Sequence, residues 1–275
     1  MVRVRAIQTG YARLRPAQAR RRRGGALRVL LDRDWTDWLP IHAWLIEHPE
    51  GNILVDTGET AKVAQPGYLP RWHPFFRLAA SFRVNAEDEL GPQLYKAGIA
   101  SQEIRTVVLT HLHTDHVNGL AHLSLASRFV AARGEFQNAT GRLGQMTGYL
   151  AHHWPQWFRP EPIEFEERRL GPFERCKPLT RAGDVVIVPT PGHTPHHVSV
   201  IVDCGDVTIF LAGDATYSEA QLLGRWADGV ASRPEVQLQT LDTIKWFVQS
   251  RPTVYLPSHD PDSAKRLQTR QVTRI

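Results

Sequence analysis

His111-Leu112-His113-Thr114-Asp115-His116 follows directly on the apolar run Thr106-Val107-Val108-Leu109-Thr110. Two imidazoles two residues apart on an extended segment point the same way. An Asp and a third His come at once, so four metal-ligand side chains can converge from one short turn. Neutral imidazole and carboxylate oxygen suit zinc, iron, cobalt or manganese. A merely His-rich surface loop would need no partners elsewhere, and this chain supplies them.

The partners come in order. Pro191-Gly192-His193-Thr194-Pro195 follows the strand-like run Asp184–Val188. Asp214 sits in Leu211-Ala212-Gly213-Asp214, after Val207–Phe210. His259 sits in Leu256-Pro257-Ser258-His259, after Thr253-Val254-Tyr255. Each lies just past the C-terminal end of an expected buried strand, where layered α/β folds collect site residues because strand ends are rigid and the loops beyond them open.

The pattern H-x-H-x-D-H, then a lone His, an Asp and a late His, resembles the metallo-β-lactamase superfamily from about Leu45 to His259, and Ile53-Leu54-Val55-Asp56-Thr57-Gly58 matches its early strand and Asp-x-Gly turn. The resemblance implies a four-layer αβ/βα sandwich with two metal ions between the tops of two sheets, here expected as one domain over residues 1–275. His111, His113 and His193 would form one site and Asp115, His116 and His259 the other, with Asp214 bridging them. Zinc is the first expectation, with iron, cobalt or manganese as alternatives. A water shared by two divalent ions loses its proton near neutral pH and becomes a nucleophile, so the reaction class is hydrolysis of an ester, lactone, thioester, amide or phosphoester.

Departures narrow the branch. Lactamases of the superfamily usually carry Cys at the Asp214 position, oxygen-reducing relatives replace the second His of the motif with an acid, and glyoxalase-II-like thioesterases follow the bridging Asp with Thr-Leu-Phe. Here Asp214 and His113 stand, and Ala215-Thr216-Tyr217 follows. Asp-x-x-Tyr resembles N-acyl-homoserine lactonases, in which the phenol sits over the metals and can donate a hydrogen bond to a developing oxyanion. Tyr217 and Asp115 are the expected catalytic residues, Asp115 also handling the proton passed to the leaving alkoxide. The expected substrate is an acylated lactone; the alternative is an organophosphate triester, an aryl ester or a thioester. In Pro191-Gly192-His193-Thr194-Pro195-His196-His197, His196 replaces a usual Gly and reads as a loop residue, and His197 as a supporting non-ligand. His152-His153 reads as a loop pair. The aromatic segments 35–38 and 68–82 fit an acyl-chain groove or ordinary packing equally well.

Among 275 residues the hydrophobic share of 42% suits a sizeable core. No run approaches the ~20 apolar residues that span a bilayer, the first residues lack a secretory apolar region, and Arg20–Arg23 does not read as an export signal. A cytoplasmic protein without membrane contact is expected. Cys176 and Cys204 read as reduced thiols. The formal charge of +5 is spread along the chain apart from Arg20–Arg23, which reads as a solvated loop between the first two strands. No nucleic-acid motif is visible. A homodimer is expected from the resemblance alone.

Expected strands are 1–9, 41–47, 51–56, 106–110, 129–132, 184–188, 197–202, 207–211 and 253–255. Leu90–Ala97 reads as a helix with Gly98 beyond its end, Glu135–Tyr149 as a helix weakened by Gly141 and Gly144, and Ser232–Ser250 as an amphipathic helix.

Overall fold

Near-continuous apolar runs such as Ile41–Ile46 and Ile53–Val55 belong to strands buried on both faces, and the chain uses them to build two facing sheets. In a computed structural model, which describes residues 2–231 and 233–275, the first sheet comprises β1 (Arg3–Leu14), β2 (Leu39–Glu47), β3 (Asn52–Val55), β4 (Ala80–Arg83), β5 (Ile104–Val108), β6 (Arg128–Ala131) and β7 (Glu161–Pro162). Their order is β4-β1-β2-β3-β5-β6-β7. The pairs from β3 to β7 are parallel and the rest antiparallel. The second sheet comprises β8 (Lys177–Pro178), β9 (Val185–Pro189), β10 (Val198–Asp203), β11 (Thr208–Gly213) and β12 (Thr253–Pro257). Its order is β12-β11-β10-β9-β8, with only β11 and β12 parallel.

The period-2 alternation of the strands sorts their side chains into layers. Trp44, Ile46, Ile53, Val55 and Val108 face Val185, Ile187, Val200, Ile209, Leu211 and Leu256 across the gap between the sheets. Leu45, Leu54 and Val107 point the other way, onto Leu90 and Leu94 of a helix spanning Leu90–Lys96. On the outer face of the second sheet, Val186, Val188, Ile201, Phe210 and Tyr255 receive Leu241, Ile244, Phe247 and Val248 of the helix Pro234–Ser250. The succession is helix, sheet, sheet, helix, the four layers expected.

Boundaries moved for local reasons. The first strand runs on to Leu14, because β4 pairs with its far end from Tyr11 to Leu14. Met1 and Ser232, the expected starts of the first strand and of the long helix, lie outside the described residues. Pro234 stands at the N-terminal end of that helix, where a missing N–H costs nothing. The helix expected over Glu135–Tyr149 stops at Thr140, and a short 3-10 turn follows over Gly144–Thr147, so Gly141 and Gly144 break it rather than merely weaken it. Between β1 and β2 the chain forms α1 (Pro16–Ala19) and α2 (Gly25–Leu31). The Arg20–Arg23 run links them as the solvated loop expected: Arg20, Arg22 and Arg23 are exposed, with Arg20 also stacking on Trp226, and half-buried Arg21 donates to the carbonyls of Gly229 and Ala231. Both cysteines are free.

Phe247 is fully buried, with Phe173 and Phe210 each 5.7 Å away between ring centroids. Phe247→Ala is expected to lower unfolding free energy by about 3–5 kcal/mol through lost burial and the cavity left behind, read as a shift in urea midpoint at unchanged slope.

Candidate metal centre

Four strand ends deliver the site. β5 ends at Val108, three residues before His111; β9 leads to His193, β11 to Asp214 and β12 to His259. Asp115 and His116 are carried by the single helical turn Thr114–Val117. Gly213 has φ of +56°, and a Cβ there would come within 2.7 Å of His197 Nε2 and 2.9 Å of the Thr110 side chain. Only glycine adopts that backbone without strain while leaving those neighbours in place, and this turn aims Asp214.

The seven expected ligand residues meet at one place. Three sets, His111-His113-His193, His111-His116-Asp214 and Asp115-His116-His259, each bring their ligand atoms within 4.8 Å of one another. Asp214 joins the outer two sets. Its Oδ1 lies 3.3 Å from His116 Nε2 and 3.4 Å from His259 Nε2, while Oδ2 lies 3.7 Å from His193 Nε2. Asp115 Oδ2 is 3.4 Å from His259 Nε2.

The outward nitrogens are tied down, which turns the inward ones toward the centre. His116 Nδ1 donates to Asp56 Oδ2 at 2.8 Å, His193 Nδ1 to Asp228 Oδ2 at 3.1 Å, and His259 Nδ1 to the Pro40 carbonyl at 2.9 Å. The Thr110 hydroxyl donates to Asp56 and accepts from His111 Nδ1 at 3.1 Å. Asp56 takes φ of +61° at the end of β3 and also accepts the Thr110 N–H at 2.8 Å; Asp is among the few residues that tolerate this conformation.

The field at the centre favours a cation. Burial, then the neighbouring histidines, holds His111 well below the ordinary imidazole range, and burial and His193 do the same to His113, so both offer neutral lone pairs. Burial also opposes charge on His116, yet Asp214 and Asp56 outweigh it and hold that imidazole well above its ordinary range. His111 Nε2, His116 Nε2 and Asp214 Oδ1 are buried without a hydrogen-bond partner. An unpaired buried polar group costs about 1–3 kcal/mol; three of them, nitrogen and oxygen donors of one set, fit a divalent cation of the zinc type.

His113, Asp115, His193, Asp214 and His259 of the set line a cavity of about 600 Å³ together with Tyr217, and Leu14, Val29, Leu30, Phe75, Phe76, Phe82 and Met146 are among its apolar lining. The aromatic segments therefore divide. Part of 68–82 lines the cavity, whereas Trp35 and Trp38 pack under the guanidinium groups of Arg13, Arg15 and Arg83. His197 stands outside the three sets: its Nε2 accepts the Asp214 N–H at 3.0 Å, and burial pushes its pKa down to about 3. His196 is exposed, and His153 stacks on Tyr68 at 4.0 Å.

Sequence reading missed Asp228 and Gln237. Asp228 is fully buried and accepts from His193, the Val230 and Ala231 N–H groups, and Gln237 Nε2. Gln237 breaks the apolar stripe of its helix, which was the available signal; Asp228 sits in no motif.

A buried His/Asp cluster at the strand ends of a two-sheet α/β sandwich defines a metal-binding class of protein. A family model for the metallo-beta-lactamase superfamily matches residues 36–259. The chain belongs to that superfamily. It is 31% identical over 231 residues to a probable metallo-hydrolase of Mycobacterium tuberculosis, covering 80% of this chain and 71% of the relative. It is 25% identical over 242 residues to the N-acyl homoserine lactonase AttM of Agrobacterium fabrum, covering 82% and 83%. The solved structure of an N-acyl homoserine lactone hydrolase with the product N-hexanoyl-L-homoserine bound at its catalytic metal centre superposes with a TM-score of 0.74 at 20% identity, covering 96% of each chain.

Asp56→Asn and Asp228→Asn are each expected to weaken metal binding about 10–100-fold by loosening the ring they orient. Competition with a chromophoric chelator measures this; unchanged affinity in both would remove the two carboxylates from the site.

Proposed function

We propose that this chain is a dinuclear metal-dependent hydrolase that opens the lactone ring of N-acyl-homoserine lactones, the reaction of quorum quenching. The observation that carries the reading is the Tyr217 hydroxyl, 3.4 Å from His193 Nδ1 in a largely apolar cavity that five of the candidate ligands also line. The likeness to AttM over most of both chains supports it.

In this reading His111, His113 and His193 would hold one ion and Asp115, His116 and His259 the other, with Asp214 serving both. Two bound divalent ions, zinc in the first instance, lower the pKa of water toward neutrality and polarise a carbonyl. The protein supplies the rest. A cavity of about 600 Å³ with apolar walls takes an acyl tail and excludes water from it. Burial, reinforced by Asp228 and Asp214, holds the Tyr217 pKa well above the ordinary phenol range. The phenol therefore keeps its proton and donates it as a hydrogen bond to the carbonyl oxygen while negative charge builds there. The Asp115 side chain is 15% exposed against 4% for Asp214, and it lines the cavity, where it would take up the proton that the attacking water gives up and pass it to the departing ring oxygen. The reading places the enzyme in the cytoplasm as a homodimer. Among the described residues no helix is long and apolar enough to cross a membrane.

His111→Ala and Asp214→Ala are expected to abolish metal loading and activity together; full activity at unchanged metal content in either would sink the assignment. Tyr217→Phe should keep both ions and lower turnover on the order of tenfold, the worth of one hydrogen bond made in the transition state. Ring opening followed by proton release tests the substrate, on acyl-homoserine lactones of several chain lengths beside a simple γ-lactone, an aryl phosphotriester and a thioester. Acyl-homoserine lactones should turn over fastest. A faster phosphotriester or thioester would overturn the substrate and keep the metal site.

A further inference from the structure

The Tyr217 hydroxyl has two polar neighbours, and neither takes its proton. Gln18 Nε2 lies 2.8 Å away, buried on α1. An amide nitrogen only donates, so the phenol oxygen is the acceptor in this bond. His193 Nδ1 lies 3.4 Å away, but its hydrogen is committed to Asp228 Oδ2 at 3.1 Å. That nitrogen therefore has no lone pair to offer. Among the described residues no other group meets the hydroxyl, and Tyr217 is 3% exposed. Its proton is left for whatever occupies the cavity that both Tyr217 and Gln18 line.

As placed, the Gln18 amide gives one N–H to the phenol oxygen and leaves its Oε1 buried without a partner. Turning it over would spend the phenol proton on Oε1 and leave both N–H groups without an acceptor, so the two orientations differ in whether the phenol or the amide keeps a free hydrogen.

One short segment secures both neighbours. Asp228 orients His193, and the next residue, Gly229, donates its N–H to the Gln18 carbonyl at 2.7 Å. A Cβ on Gly229 would come within 2.1 Å of the Ala17 carbonyl oxygen, so glycine lets this loop close onto α1.

From this donor–acceptor arrangement we propose that Gln18 is a positioning residue: with Asp228 it makes the Tyr217 hydroxyl a one-way donor aimed at the substrate carbonyl. The proposal rests on the function given to Tyr217 above and adds the residue that sets its direction.

Carboxylate at position 18 reverses the polarity, because Gln18→Glu accepts the phenol proton instead of donating to the oxygen. Gln18→Met removes the donor without adding an acceptor. Both variants, Tyr217→Phe and the Gln18→Glu/Tyr217→Phe double variant are compared with the parent, metal-loaded, on whichever ester of the panel the parent turns over fastest. Melting curves and metal content are checked first. The expected result is a kcat loss in Gln18→Glu on the order of tenfold, matching Tyr217→Phe, with KM and metal content little changed. The double variant should be no slower than Tyr217→Phe, and Gln18→Met should lose less than Gln18→Glu. If Gln18→Glu costs as much in the Tyr217→Phe background as in the parent, it does not act through the phenol and the proposal fails. An unchanged kcat in Gln18→Glu, or a loss in Gln18→Met as large as in Gln18→Glu, overturns it equally. Should Gln18→Glu not fold, the cycle of Gln18→Met with Tyr217→Phe decides by the same test of additivity. Failure of acyl-homoserine lactones to be the fastest substrate would overturn the functional reading alone, since the cycle is then read on another ester.

Discussion

A carboxylate taken almost wholly out of water is expensive unless positive charge meets it, and the effective penalty runs to several kcal/mol per ion. Asp214 is 3% exposed, with Oδ1 turned to His116 and His259 and Oδ2 to His193. Everything around it answers that constraint. The histidines come from three other chain segments, and each is held from behind by a carboxylate, a hydroxyl or a carbonyl that the fold fixes independently. The glycine before Asp214 permits the turn, and the N–H of Asp214 is held by His197. A site of this kind cannot be assembled by one local motif. It needs two sheets whose strand ends meet, and the apolar face shared between β2, β3, β5 and the second sheet is what brings those ends together.

The second property of the site is its mixed lining: five of the candidate ligands and Tyr217 share the cavity with a larger number of aliphatic and aromatic side chains. The walls come from segments outside the metal-bearing strand ends: α1 and α2 between β1 and β2, the stretch from His73 to Phe82, and the turn around Met146. The candidate ligands and most of the apolar lining thus come from different parts of the chain. His73 ties two of these wall segments together, since its Nε2 donates to the Met146 carbonyl at 3.0 Å.

The clustering of the seven candidate ligands was legible because metal coordination demands particular residue types at strand ends, and both the types and the apolar runs before them are visible in one sequence. The layered architecture was legible for a related reason: strands buried on both faces read as unbroken apolar runs, and Phe247 and its helical neighbours repeat at helical spacing. The supporting shell was not. Asp228 and Gln18 bear on the site through contacts 35 and 199 residues apart in sequence, and single polar residues without spacing leave no pattern. The Arg20–Arg23 run is the mostly exposed loop expected between the first two strands, but its contacts with the Trp226 ring and the Gly229 and Ala231 carbonyls come from a distant loop and left no signal in the sequence. The division of the aromatic segments, one lining the cavity and one under arginines, also depends on tertiary placement that composition does not encode.

The sharing of Asp214 between two ions is the central claim, and zinc K-edge X-ray absorption of the zinc-loaded protein tests it most directly. A metal–metal scattering path at about 3.5–4 Å, with first neighbours at nitrogen and oxygen distances, is expected, together with its loss in Asp214→Ala. A spectrum fitted by isolated four-coordinate zinc, with no metal–metal path at full loading, would contradict the shared carboxylate and with it the dinuclear hydrolase.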